Sequence, residues 1–227
     1  MPRPWVRSIS HASALDPSAD YRGSAMQELR KYEYCRMNIA LAVIQAAVFV
    51  LCMIAGDRLY LIGRCGTNLV LEHKQYWRLL TSVFLHSGLT HLGSNLLVQV
   101  LMGNAVERNL GHIRYLILYL VSGIGGNIVS VLYDRGQGVN TYSVGASGAV
   151  FGVMGALIIL IIKGRKKLRA GSSLPARAAF AVFYAVYAGF RNPYTDNAAH
   201  IGGLIFGLAL GALLSLPILD VDLRDLR

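Results

Sequence analysis

The sequence predicts an all-α membrane protein, a bundle of six transmembrane helices with a long, partly interfacial loop between the first two. Three observations predict it. Hydrophobic residues make up 54% of the 227-residue chain and charged residues 15%, with a mean hydropathy of +0.46; soluble domains carry about 25% charged residues. Six stretches contain no Asp, Glu, Lys or Arg: 37–56, 79–106, 115–133, 136–162, 178–190 and 197–219. Finally, the 22 Lys and Arg residues are unevenly placed. With both termini inside, inside segments hold six before the first span, two after the second, six after the fourth and two at the C-terminus. Only Arg58, Arg64, Lys74, Arg78, Arg135 and Arg191 are left outside. That is the positive-inside asymmetry, and it accounts for the net charge of +10 through topology and anionic lipid. No nucleic-acid partner is expected.

Residues 1–36 form a basic arm, expected to be cytoplasmic and mobile, with no apolar h-region to mark a cleaved signal peptide. The core is expected over 37–216, followed by a short cytoplasmic tail, 217–227. The first span covers 37–56, a charge-free stretch. The segment 57–89 is too polar to span and too apolar to be a solvated linker, carrying Leu59, Tyr60, Leu61, Tyr76, Trp77, Val83, Phe84 and Leu85 among charges. It is expected to lie partly in the interface, with Tyr76 and Trp77 as an aromatic anchor. Further spans are expected at 90–106, 113–132, 146–162, 176–190 and 198–216. The fifth has only 13 charge-free residues. A crossing needs about 20, so it relies on the uncharged 170–176 stretch and on snorkelling by Arg177. Three scattered cysteines make no disulfide framework. No metal or cofactor is expected, because neither H-E-x-x-H nor a Cys/His cluster at ligand spacing occurs.

Polar residues within these spans share a depth. The second, fourth and sixth spans all run from outside to inside. Ser147 lies sixteen residues before Lys163, the first inside charge of its span, and His91 seventeen before Arg108. His200 lies twenty before Asp220. At about 1.5 Å per residue, the three sit within roughly one helical turn of each other. A serine and a histidine at one depth can form the nucleophile–base pair of acyl transfer. Gly145 and Gly148 would permit a tight turn into the helix and close approach of a substrate backbone. A helix N-terminus offers free N–H groups, and His91 and Asn95 share a face; together these are parts of an oxyanion hole. Phe151, four residues after Ser147, can place a ring beside His200. Other readings stand beside this one. Gly-x-Ser-Gly is also a helix-packing motif, His91 and Asn95 are also interhelical hydrogen-bond partners, and His200 with His91 and Gln99 would suit a transporter's polar pathway. Gly148-x-x-x-Gly152 and Gly203-x-x-x-Gly207-x-x-x-Gly211 read as packing stripes. Glu107, Arg108 and Arg114 read as loop ion pairs, and His73, His86 and His112 as loop or interface residues.

Taken together, these residues resemble the rhomboid family of intramembrane serine proteases in its six-helix bacterial form. The matches are Tyr76-Trp77-Arg78, His91-x-x-x-Asn95, Glu107-x-x-x-Gly111, Gly145-Ala146-Ser147-Gly148 and Ala199-His200-x-x-Gly203-x-x-x-Gly207. They cover 76–211 in order. The resemblance implies Ser147 as nucleophile and His200 as base in a dyad without a third carboxylate. It implies oxyanion contacts from the Ser147 N–H, His91 and Asn95, with Gly145, Gly148 and Phe151 shaping the site. Phe151 stands where the family often has tyrosine. The resemblance also implies a mobile gate in the fifth span and the loop Arg191–Asn197. Expected substrates are single-span membrane proteins cut near the outer face, and the expected place is a bacterial inner membrane with both termini cytoplasmic. A non-cutting, client-binding relative is the alternative within the family. A polar-pathway transporter would require internal repeats, and none is seen.

Overall fold

A computed structural model describes residues 35–164, 174–191 and 195–217. The N-terminal arm, the basic residues 165–173, the end of the C-terminal tail and 192–194 within the expected gate loop lie outside the described residues. The chain forms helices α1 (Arg36–Ala55), α2 (Asp57–Gly63), α3 (Thr67–Leu71), α4 (Arg78–Thr81), α5 (Leu89–Leu110), α6 (His112–Gln137), α7 (Ser147–Gly164), α8 (Leu174–Arg191) and α9 (Asn197–Leu214). Two short strands, β1 (Cys65–Gly66) and β2 (Tyr142–Ser143), pair antiparallel. Among the described residues, four helices are long and apolar enough to cross a membrane: α1, α6, α7 and α9. The other two long helices are less apolar. α5 is diluted by Asn95, Gln99 and Glu107, all buried against neighbours, and α8 carries Arg177 and Arg191 near its ends.

α7 lies at the centre, with α5, α6, α8 and α9 packed around it. Its sequence is apolar on every side, as a helix enclosed by others must be. Val150, Val153, Ala156, Leu160 and Ile161 join Val106, Tyr115, Leu118 and Tyr119 in the main core cluster. Against α9 the contact is backbone to backbone. A Cβ on Gly203 would collide with the carbonyl oxygen of Gly148, and one on Gly207 with that of Gly152. This close approach sets how near the side chains at the heads of α7 and α9 come.

A buried polar seam joins α1, α5 and α6. Glu107 is fully buried and accepts the backbone N–H groups of Met37 at 2.8 Å and Asn38 at 2.7 Å, which begin α1. It is also bonded to His112. The expectation that Glu107 belongs to a loop ion pair is thus corrected: a carboxylate on one helix caps the start of another. The Tyr115 hydroxyl donates to Asn38 Oδ1 at 2.7 Å, and the Gln45 amide donates to Gln99 Oε1 at 2.8 Å. Tyr119 donates to the same Gln99 oxygen at 3.0 Å. In an apolar surround each such group left unpaired would cost about 1–3 kcal/mol; Gln45 Nε2 also donates to Leu41 O at 3.1 Å and Gln99 Nε2 to Asn38 O at 3.2 Å, while Gln45 Oε1 has no partner among the described residues. Gln99 is therefore a closed structural knot, and its amide serves this network.

Residues 57–89, expected as a loop, are built from α2, β1, α3, α4 and a 3-10 turn at Ser82–Phe84. Arg78 organises this segment, donating to the Leu61 and Arg64 carbonyls at 2.8 and 3.0 Å and to Gln75 Oε1 at 2.6 Å. Tyr76 and Trp77 remain more than half exposed.

Candidate active site

The turn that delivers Ser147 is held from three directions. β2 immediately precedes it, and β1 fixes β2 in register through Cys65 opposite Ser143 and Gly66 opposite Tyr142. Behind the strand pair, the buried Asp134 at the end of α6 accepts the Thr67 hydroxyl at 3.1 Å and is also bonded by the Thr141 hydroxyl. The Arg64 guanidinium lies over the Tyr142 ring, 3.8 Å from its centroid. The 3-10 turn grips the next two residues: Gly145 N–H donates to the Ser82 carbonyl at 2.9 Å, and Ala146 N–H points to His86 Nε2 at 3.5 Å. Asn127 on α6 anchors that turn in place, donating to Leu79 O at 2.7 Å and Ser82 Oγ at 2.9 Å.

Gly145 has φ +139°, where a side chain is strained, and a Cβ there would lie 2.9 Å from His91 Nε2 and 3.7 Å from Ser147 Oγ. The histidine and the serine therefore border one small volume above a bare backbone. Ser147 is the first residue of α7, half-buried, with the buried Gly148 behind it.

His91 sits in the first turn of α5, and its Nδ1 lies 3.0 Å from the Ser87 hydroxyl. A proton donated from Ser87 to Nδ1 leaves Nε2 as the N–H, facing Gly145. Asn95 is buried and gives one amide hydrogen to the His91 carbonyl at 3.1 Å. Ser87, Thr90 and Ser94 beside them are exposed.

His200 is in the first turn of α9. Asp196 caps that helix, accepting Ala199 N–H at 2.9 Å, and is tied to α6 by the Ser130 hydroxyl at 2.6 Å. The His200 ring stacks on Phe151 with centroids 4.3 Å apart and planes 14° from parallel. Ser147 and Phe151 are one turn apart on α7, so the imidazole lies on the helix face that carries the serine. Among the described residues, no hydrogen bond joins Ser147 to His200, and His200 Nδ1 is buried without a partner.

Ser147, His91, Gly145, Gly148, Asn95, Phe151 and His200 thus gather at the heads of α5, α7 and α9. Sequence reasoning missed the residues that hold them: Ser82, His86, Asn127 and Asp134. His86, read as a loop residue, is fully buried and packs edge-on against His91 with centroids 5.2 Å apart. Burial, reinforced by the neighbouring His91, pushes its pKa down to about 4, so it meets Ala146 as a neutral ring. Its only sequence signal is proximity to His91, which does not separate a ligand-facing histidine from a buttress.

The family model described as the Rhomboid domain matches residues 73–217. Curated relatives include RHOMBOID-like protein 6, mitochondrial, of Arabidopsis thaliana, 36% identical over 67% of this chain and 48% of its own length. Rhomboid protease GluP of Bacillus subtilis (strain 168) is 37% identical over 66% of this chain and 28% of its own. RHOMBOID-like protein 1 of Arabidopsis thaliana is 33% identical over 66% and 37% respectively. The chain therefore spans about half or less of the length of these relatives.

Proposed function

The chain belongs to the rhomboid family of integral membrane proteins, and we propose that it is an intramembrane serine endopeptidase working through Ser147 and His200. The observation that carries this reading is the stacking of His200 on Phe151, one turn from Ser147, beside a glycine turn onto which His91 Nε2 faces. In the proposed reaction His200 takes the Ser147 hydroxyl proton as the serine oxygen bonds to the scissile carbonyl carbon. The negative charge that develops on the carbonyl oxygen is met by the Ser147 N–H, His91 Nε2–H and the Asn95 amide. His200 then returns the proton to the leaving amine, and water hydrolyses the acyl-enzyme by the same route in reverse.

The proposed substrates are single-span membrane proteins, cut near the outer face of the bilayer. A helical peptide bond is protected by its own hydrogen bonds, so Gly or Pro near the cut lowers the cost of exposing it. The reading includes six crossings, with α5 and α8 completing the four apolar spans, and an interfacial segment at 57–89. It places both termini on the cytoplasmic side of a bacterial inner membrane, supported by the Lys and Arg asymmetry. α8 is proposed as the gate; its exposed Phe180, Phe183, Tyr184 and Tyr187 give it a face without packing partners among the described residues.

Ser147→Ala is expected to abolish cleavage of a single-span reporter and labelling by a fluorophosphonate while leaving the thermal transition in place. Reporter cleavage by Ser147→Ala at the parent rate would overturn the mechanism. The unmade bond between Ser147 and His200 favours a second reading, a member that binds membrane clients without cutting them. Failure of the parent protein to take up fluorophosphonate would support that reading.

A further inference from the structure

The dyad has no carboxylate bonded to its histidine, yet one is fixed close by. Asp196 immediately precedes α9, one helical turn before His200, whose N–H donates to the Asp196 carbonyl at 3.2 Å. Its carboxylate is locked: Oδ1 accepts Ala199 N–H at 2.9 Å and Oδ2 accepts the Ser130 hydroxyl of α6 at 2.6 Å. Held by both, it is not bonded to His200 Nδ1, which is buried and unpartnered.

The other charges around His200 are few. Burial is the largest influence on its charging; beside it, Asp196 and His91 act on it electrostatically. α7, packed against α9, offers Ser147 and no acid or base before Lys163 at its far end. On α6 the next carboxylate is Asp134, one turn beyond Ser130 and committed to Thr67 and Thr141. On α8, Tyr184 and Tyr187 are exposed and stack on Phe180 and Phe183 of their own helix. His86 stands behind His91. Asp196 therefore supplies the one negative side chain acting on His200 among the described residues.

We infer that Asp196 is a positioning residue for this reaction: its clamped carboxylate acts through space to stabilise the imidazolium that His200 becomes when it accepts the Ser147 proton. No proton moves to Asp196. The proton passes from Ser147 Oγ to His200 and on to the leaving amine, and the carboxylate keeps its two donors throughout. Serine hydrolases with a triad place this charge on the second imidazole nitrogen; here it is mounted on the cap of the helix that carries the base. The inference rests on the dyad reading above.

A purely structural cap makes a different prediction. Asparagine caps helices as well as aspartate does and can still accept from Ala199, so Asp196→Asn removes the charge and keeps the cap. The test follows fluorophosphonate labelling and reporter cleavage by the full chain in liposomes from pH 5 to 9. Removing a nearby opposite charge makes imidazolium harder to form. The acid limb is therefore expected to move about 0.5–1 unit toward lower pH, and plateau kcat to fall about 3- to 10-fold with KM unchanged. Ser130→Ala keeps the charge and should leave the limb at the parent position even where it lowers thermal stability. Should Asp196→Asn not fold, Asp196→Ser, another neutral cap, replaces it. A limb unmoved in the neutral variants, with rates falling only as far as the folded fraction falls, would overturn the inference while leaving the dyad standing. Labelling of Ser147→Ala at the parent rate would remove the dyad itself.

Discussion

Gly145 carries two independent constraints at one backbone position. Its φ of +139° strains any side chain, and the volume a Cβ would fill is bordered by His91 Nε2 and Ser147 Oγ. The glycine is thus required by the turn, and it leaves open the space between the histidine and the serine. His86 does complementary work one shell out, holding Ala146 from behind as a neutral ring. Its titration has a stability consequence. The folded state holds it neutral down to about pH 4, whereas the unfolded chain takes up a proton near pH 6.5. Between these values the unfolded state binds more protons, so stability falls as pH falls. The loss from pH 7 to 4 is of order 3 kcal/mol if His86 alone contributes. His86→Gln should flatten this dependence, measured as the thermal transition by circular dichroism at a series of pH values. A slope equal to the parent's would show that other groups carry it.

Among the elements, α7 and α9 illustrate how small residues act at a distance from chemistry. Gly203 and Gly207 lie against the Gly148 and Gly152 carbonyl oxygens, and that backbone contact brings His200 onto the face of α7 that bears Ser147 and Phe151. Gly207→Leu forces a side chain into a space that holds none. Overpacking of this kind costs about 1–3 kcal/mol, so the transition should drop by roughly 2–12 °C. Reporter cleavage should fall further than the folded fraction does, because the two helices must separate; retention of full activity would show that the contact does not set the site. α5 shows the opposite strategy. Its polar residues are turned inward to Asn38, Gln45 and Tyr119, and at its end Glu107 caps α1. This is why a helix of 22 residues falls outside the apolar spans.

For the whole molecule, the proposed orientation rests on the placement of Lys and Arg and is directly measurable. Single-cysteine variants, made after replacing Cys35, Cys52 and Cys65, are expected to react with an impermeant maleimide in intact cells when placed at 138–140. Those placed at 165–169 should react only after lysis. The reverse pattern would invert the topology and put the serine turn at the cytoplasmic face. The same view gives the segment 57–89 a purpose. It is a scaffold that clamps the serine turn through β1, Thr67, Ser82 and His86, and α6 braces it through Asn127 and Asp134.

The sequence by itself determined the helical membrane class, the limits of the long helices to within a few residues at most ends, and the family, because apolar runs and glycine-flanked polar residues are local signals. It also led to the expectation that Ser147, His91 and His200 share a depth, since helical rise converts residue counts into height. Only the tertiary structure decided what surrounds them: the histidine behind the serine turn, the tie of the Asp196 carboxylate to Ser130 on α6, and the burial of Glu107 at the start of α1. Those contacts join residues up to 70 positions apart, and a pairing across such a distance depends on how helices rotate and approach, which no local pattern of residues encodes.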